Sequence, residues 1–268
     1  MRDNPFALAL AALRSALFVT WGVLTLVPWA TVAVLISPFV TPTRLYWFCS
    51  AWGKLLLWGL AAIAGVRPRL LGLERLPLGR RDAVVLLAKH QSALETLALF
   101  AWMPHPLAFV FKRELLYIPF FGWALGRMDM VHIDRRRRAE AFHKVAAQGR
   151  RLAAQGTWVI MFPEGTRIER GESGHYKTGG SRLAIDTGLA VQPVACATAK
   201  VWPPRSLLLR PGVYEISVGP AIASAGHTPE SLMAQTRDWI EAEMRRLDPE
   251  AYRAPAPPAA APTPVPIR

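Results

Sequence analysis

Cysteine is nearly absent: the 268 residues hold only Cys49 and Cys196. That excludes a disulfide framework or a zinc-ligand spacing, so a reducing, cytosol-facing location is the default. Charge is scarce as well, at 19% of residues against about 25% in an ordinary domain. With 52% hydrophobic residues, the chain is not disordered wholesale, and membrane contact is expected. Acidic residues are the scarcer sign, 19 against 32 Lys and Arg, for a formal charge of +13. Such an excess seeks a polyanion, either nucleic acid or an anionic lipid surface, and the apolar content favours lipid over nucleic acid. No G-x-S-x-G motif occurs, so the strained serine elbow of an α/β-hydrolase is missing.

Long apolar runs fill the first quarter. Ser15 to Thr43 is 29 residues without a charge, and Leu45 to Val66 is a further 22 whose only charge is Lys54. Either can cross a hydrocarbon core, which takes roughly 20 helical residues. Pro28 and Pro38 are expected to break the first run, and five of the ten tryptophans fall here, as an interfacial belt requires. Arg2 and Arg14 before, with Arg67 and Arg69 after, place both ends on the cytoplasmic side of an inner membrane. A shallow hairpin, two spanning helices and a buried hairpin of a soluble protein all fit these lengths.

Beyond residue 66 apolar strand-like runs recur at 83–88, 107–111, 128–133, 157–162, 190–195 and 213–218. Helical periodicity spans 135–155, and a late helix runs from Pro229 to Leu247 with Thr228 as N-cap. This alternation predicts an α/β fold, a mixed, largely parallel sheet flanked by helices, behind an N-terminal membrane-embedded helical hairpin. The expected organisation is a membrane segment at 1–66, a catalytic domain at 67–253 and a disordered Pro/Ala-rich tail at 254–268.

Ligands in such sheets gather beyond the strands' carboxyl ends. After the first run comes Lys89-His90-Gln91-Ser92-Ala93-Leu94-Glu95. His90 and Glu95 are five apart, about 140° on one helix, so they meet only if the chain bends between them. Ser92 and Glu95 also fit a capping box, in which Glu95 simply caps the helix. After the run at 157–162 comes Pro163-Glu164-Gly165-Thr166-Arg167, a turn whose N–H groups and guanidinium suit a phosphate. Lys112-Arg113-Glu114-Leu115, Pro119, Gly122 and Ile133-Asp134-Arg135 add cations among aromatics, and Arg136 to Arg138 open the helical stretch as a solvated or lipid-facing run.

In this order the pieces resemble the glycerolipid acyltransferase family, particularly bacterial 1-acylglycerol-3-phosphate acyltransferases. The motif of His, four residues and an acid is matched by His90 and Glu95, with Glu where the family usually has Asp. The later blocks are matched by Lys112 to Leu115 and onward to Arg135, by Phe162 to Arg167, and by Val191-Gln192-Pro193-Val194. The resemblance implies an α/β catalytic fold, catalytic His90 and Glu95, and an acceptor phosphate held by Lys112, Arg135, Glu164, Gly165, Thr166 and Arg167. It implies lysophosphatidic acid and an acyl-CoA or acyl-carrier-protein thioester as substrates, anionic membrane lipid as surroundings, and no metal or cofactor. Another lysolipid acceptor, such as a lyso-ornithine lipid, and a non-catalytic basic membrane protein are the competing readings.

Overall fold

The computed structural model describes residues 5–79, 82–133 and 147–252. Seven strands form one sheet in the order β1-β7-β6-β2-β5-β3-β4: β1 (Val66–Leu71), β2 (Val85–Ala88), β3 (Leu107–Lys112), β4 (Val131–Ile133), β5 (Trp158–Met161), β6 (Val191–Ala197) and β7 (Gly212–Val218). Every pairing is parallel except β6 with β7. Six strands coincide with the apolar runs. β1 does not, because Val-Arg-Pro-Arg breaks the apolar pattern; Pro68 is tolerated since β1 lies at the sheet edge and, among the described residues, pairs only with β7.

Helices cover both faces. α1 (Pro5–Ile36) and α2 (Pro42–Ala64) form the N-terminal hairpin, and α3 (Leu94–Trp102) and α4 (Phe121–Leu125) follow. Residues 147–154 form α5, ahead of α6 (Gly179–Thr187) and α7 (Pro229–Leu247). Thr228 caps α7 as expected, accepting from the Ser231 N–H while Ser231 Oγ accepts from the Thr228 N–H. Arg135, Arg136 to Arg138 and the proline tail lie outside the described residues.

Pro28 does not break the first helix. α1 continues through it for 32 residues, about 48 Å at 1.5 Å per residue. Contacts on either side hold it: the Trp29 indole N–H donates to the Phe48 carbonyl at 2.9 Å, and Trp52 Nε1 donates to Thr25 Oγ1 at 3.2 Å. α1 and α2 are both long and apolar enough to cross a membrane, but they differ in surroundings. α1 exposes Phe6, Leu13, Leu17, Leu24 and Leu35. α2 is built into the α/β layer: Tyr46 and Ser50 hydroxyls both donate to the Phe100 carbonyl of α3. Leu56, Leu57, Leu60 and Ala64 share a hydrophobic cluster with Leu86, Ile160 and Val194 of the central strands. One face of the sheet is therefore sealed by the hairpin and α3, and the other by α6 and α7 over Val85, Leu87, Val159 and Ala195.

Candidate active site

β2 lies between β6 and β5, so the loops leaving the carboxyl ends of these three neighbours converge. Their first residues are Lys89 and His90 after β2, Phe162 to Arg167 after β5, and Thr198 after β6. The chain turns through 89–93 before α3 begins. That bend lets His90 and Glu95 meet: His90 Nδ1 lies 2.8 Å from Glu95 Oε1. The added methylene of Glu relative to Asp is absorbed here, and the fully buried carboxylate still reaches the ring.

Glu95 Oε1 also accepts from the backbone N–H of Gln91 at 2.8 Å and of Ser92 at 2.6 Å, while Oε2 accepts from Thr198 Oγ1 at 2.6 Å. The same side chain thus holds the histidine and the turn before the helix. The expected capping box does not form: Ala93, not Ser92, is the N-cap and makes no side-chain cap bond, and Ser92 Oγ accepts from the Leu94 N–H at 3.1 Å. With Nδ1 engaged by the carboxylate, Nε2 is the ring nitrogen without a hydrogen-bond partner among the described residues. The His90 side chain remains 16% exposed, and Phe162 stacks on its ring, centroids 4.1 Å apart and 20° from parallel.

A second buried network lies beneath. Lys89, wholly buried, donates to Glu164 Oε1 at 2.7 Å, to Glu241 Oε1 of α7 at 2.8 Å and to the Glu172 carbonyl at 3.0 Å. Glu164 further accepts from the His90 N–H and the Gly174 N–H, each at 3.0 Å. Both of its oxygens are occupied within the protein. Glu164 therefore ties the turn after β5 to the backbone of His90. Tyr176 donates to Glu241 at 2.8 Å, and burial, reinforced by the Glu164 and Glu241 carboxylates, pushes its phenol far above the usual range. Burial, with Glu95 and Glu164 adding to it, likewise holds the Cys196 thiol well above its ordinary value, which makes it a poor nucleophile.

Gly165 sits in the left-handed region at φ 68° and closes the turn by donating to the Phe162 carbonyl at 2.9 Å. Thr166 and Arg167 follow on the surface, and Arg167 makes no ion pair among the described residues. Lys112 is exposed at the end of β3, with β5 between β3 and β2. Thr198 and Glu241 escaped sequence reasoning, as did the partners of Lys89: only the fold brings residues 75 to 152 positions apart into contact.

Residues 67–197 match the family model described as Acyltransferase. A 1-acyl-sn-glycerol-3-phosphate acyltransferase of Pseudomonas aeruginosa is 35% identical over 246 residues, covering 90% of this chain and 94% of that protein. The Homo sapiens 1-acyl-sn-glycerol-3-phosphate acyltransferase alpha is 26% identical over 68% of this chain and 64% of its own length. The crystal structure of the 1-acyl-sn-glycerophosphate (LPA) acyltransferase PlsC from Thermotoga maritima shares the fold, with a TM-score of 0.74, 21% identity, and coverage of 88% of this chain and 95% of that one. An acyltransferase fold, a histidine and carboxylate joined at the strand ends, and a relative alike along nearly its whole length together make this chain a member of the acyltransferase family that includes these proteins.

Proposed function

We propose that the protein transfers a fatty acyl group from an acyl-CoA or acyl-carrier-protein thioester to the free sn-2 hydroxyl of 1-acyl-glycerol-3-phosphate, giving phosphatidic acid. The observation that carries the reading is the His90–Glu95 pair at 2.8 Å, with Nε2 left for a substrate proton. Nε2 removes the hydroxyl proton as the oxygen attacks the thioester carbonyl. Glu95 holds the ring in the required tautomer and stabilises the imidazolium that forms. As the tetrahedral species collapses, the carbon–sulfur bond breaks and the imidazolium returns its proton to the leaving thiolate, so the products are ester and thiol. General-base assistance of this kind contributes about 10² to 10⁴ in rate. The chemistry runs on side chains alone, with no metal or cofactor in any step.

Arg167, Lys112 and Arg135 are assigned to the acceptor's phosphate, and Gly165 and Thr166 shape the turn that presents it. α1 lies in the cytoplasmic leaflet of the inner membrane through its exposed apolar face, while α2 stays packed against α3, so the hairpin is monotopic. A lysolipid enters from the leaflet and the thioester from the cytosol. The test is acyl transfer by purified full-length protein in mixed micelles with lysophosphatidic acid, monoacylglycerol or a lyso-ornithine lipid as acceptor. Phosphatidic acid as the main product is expected. Equal acylation of the acceptors lacking phosphate, or no transfer from either thioester, overturns the assignment.

A further inference from the structure

We propose that Lys177 is the second cation on the acceptor's phosphate and that, with Arg167, it makes the site select a phosphate monoester over a diester. This rests on the acyl-transfer reading above and adds a residue and a selectivity to it. The Lys177 side chain lies across the Gly165 turn: a Cβ built on Gly165 would stand 2.8 Å from Nζ, 3.6 Å from Cε and 3.8 Å from Cδ. Glycine is needed there for its φ of 68°, and the flexible end of Lys177 occupies the space beside it.

The stretch leading to Lys177 is fixed by its own hydrogen bonds. Gly174 N–H donates to Glu164 Oε1 at 3.0 Å, Tyr176 donates to Glu241 at 2.8 Å, and the Lys177 N–H donates to the Pro163 carbonyl at 3.0 Å. The nearest carboxylate in the turn, Glu164, is already satisfied by Lys89 and by two backbone N–H groups, so Lys177 is not there to neutralise it. The Lys177 ammonium makes no hydrogen bond or ion pair among the described residues, and neither does the Arg167 guanidinium, two residues beyond Gly165. Both are exposed cations without a partner among the described residues, one on the Gly165 turn and one with its side chain lying against it, and a single anion can join them. A phosphate monoester, at a charge of about −1.5 to −2 near neutral pH, satisfies both. A diester carries a single charge and needs only one. The same turn bears Phe162 against the His90 ring, which puts the turn beside the general base.

Wild type, Lys177→Met, Lys177→Arg and Arg167→Met are compared in mixed micelles, measuring the KM for lysophosphatidic acid, the KM for the thioester, and inhibition by lysophosphatidylglycerol, a diester. Lys177→Met should raise the lysophosphatidic acid KM by about ten- to a hundredfold, the loss of one charge-assisted hydrogen bond. It should leave the thioester KM and the melting temperature unchanged, leave diester inhibition within about twofold, and be largely restored in Lys177→Arg. A lysophosphatidic acid KM within about twofold of wild type overturns the proposal, as do equal losses for monoester and diester. So does a loss that spreads to the thioester KM or the melting temperature, which marks a structural lysine. Arg167→Met separates the two levels. If it raises the lysophosphatidic acid KM while Lys177→Met does not, only this inference fails; if neither does, the phosphate reading of the turn fails with it.

Discussion

Replacing Glu95 by Gln isolates charge from shape at the heart of the site. Three donors converge on Oε1, from His90 Nδ1, the Gln91 N–H and the Ser92 N–H, while Thr198 Oγ1 approaches Oε2. A glutamine satisfies this set in one orientation only, with its oxygen in the Oε1 position and its NH₂ toward the Thr198 hydroxyl, which accepts by rotating its proton. The fold therefore survives, at the cost of exchanging charged for neutral acceptors, about 1–2 kcal/mol in total. That corresponds to a melting temperature lower by about 2–8 °C. The catalytic penalty is larger. A carboxylate about 4 Å from the centre of an imidazolium stabilises it by about 4 kcal/mol at an effective permittivity near 20. The amide dipole retains part of this, leaving a loss of about 3 kcal/mol, or about 10²-fold in kcat. The assay is initial-rate phosphatidic acid formation at saturating acceptor and thioester, beside thermal unfolding of the same preparation. A Glu95→Gln enzyme within about threefold of wild type would refute the argument, since Glu95 would then hold the turn before the helix and nothing more.

Three further outcomes follow from the same contacts. A chain starting at Arg67 should aggregate instead of folding: it strips Tyr46, Trp52, Leu56, Leu57 and Leu60 from the core they share with the sheet. At about 1.5–3 kcal/mol each their loss matches the whole net stability of about 5–15 kcal/mol; a soluble protein with cooperative unfolding contradicts the shared core. Alkaline carbonate should leave the full-length protein in the membrane pellet, because α1 carries its apolar face outward; recovery in the supernatant removes the membrane assignment. Neutral maleimide should leave acyl transfer unchanged over minutes, because Cys196 is fully buried and its thiol is held well above the usual value by burial first and by Glu95 and Glu164 second; rapid inactivation with label on Cys196 shows that the site opens.

What could be read from the sequence follows from how local the determining physics is. β2, β5 and β6 are continuous apolar runs because both sheet faces are covered, and α7 carries its cap in adjacent residues, so all four show in short windows. The His90 to Glu95 contact was legible because a bend and a helix start lie between them. β1 was not, since an edge strand under Arg67 and Arg69 has no apolar signature. α6 was not, since it opens on Gly179-Gly180-Ser181, which reads as a loop. The contacts of Glu164 were not legible, because a turn motif cannot reveal that a lysine 75 residues earlier and its neighbour's backbone claim both oxygens. Pro28 was read as a break because the hairpin contacts that carry α1 past it lie 19 and 27 residues apart.

The most direct test of the account is the turnover of His90→Ala. The side chain is held by the Glu95 carboxylate and the Phe162 ring at a strand end and is partly exposed, so its removal leaves the core packing in place. Purified full-length His90→Ala, assayed for phosphatidic acid formation at saturating lysophosphatidic acid and thioester, should fall by at least about 10²-fold in kcat with both KM values and the unfolding transition retained. A variant that keeps more than about a tenth of wild-type turnover contradicts the general-base assignment of His90.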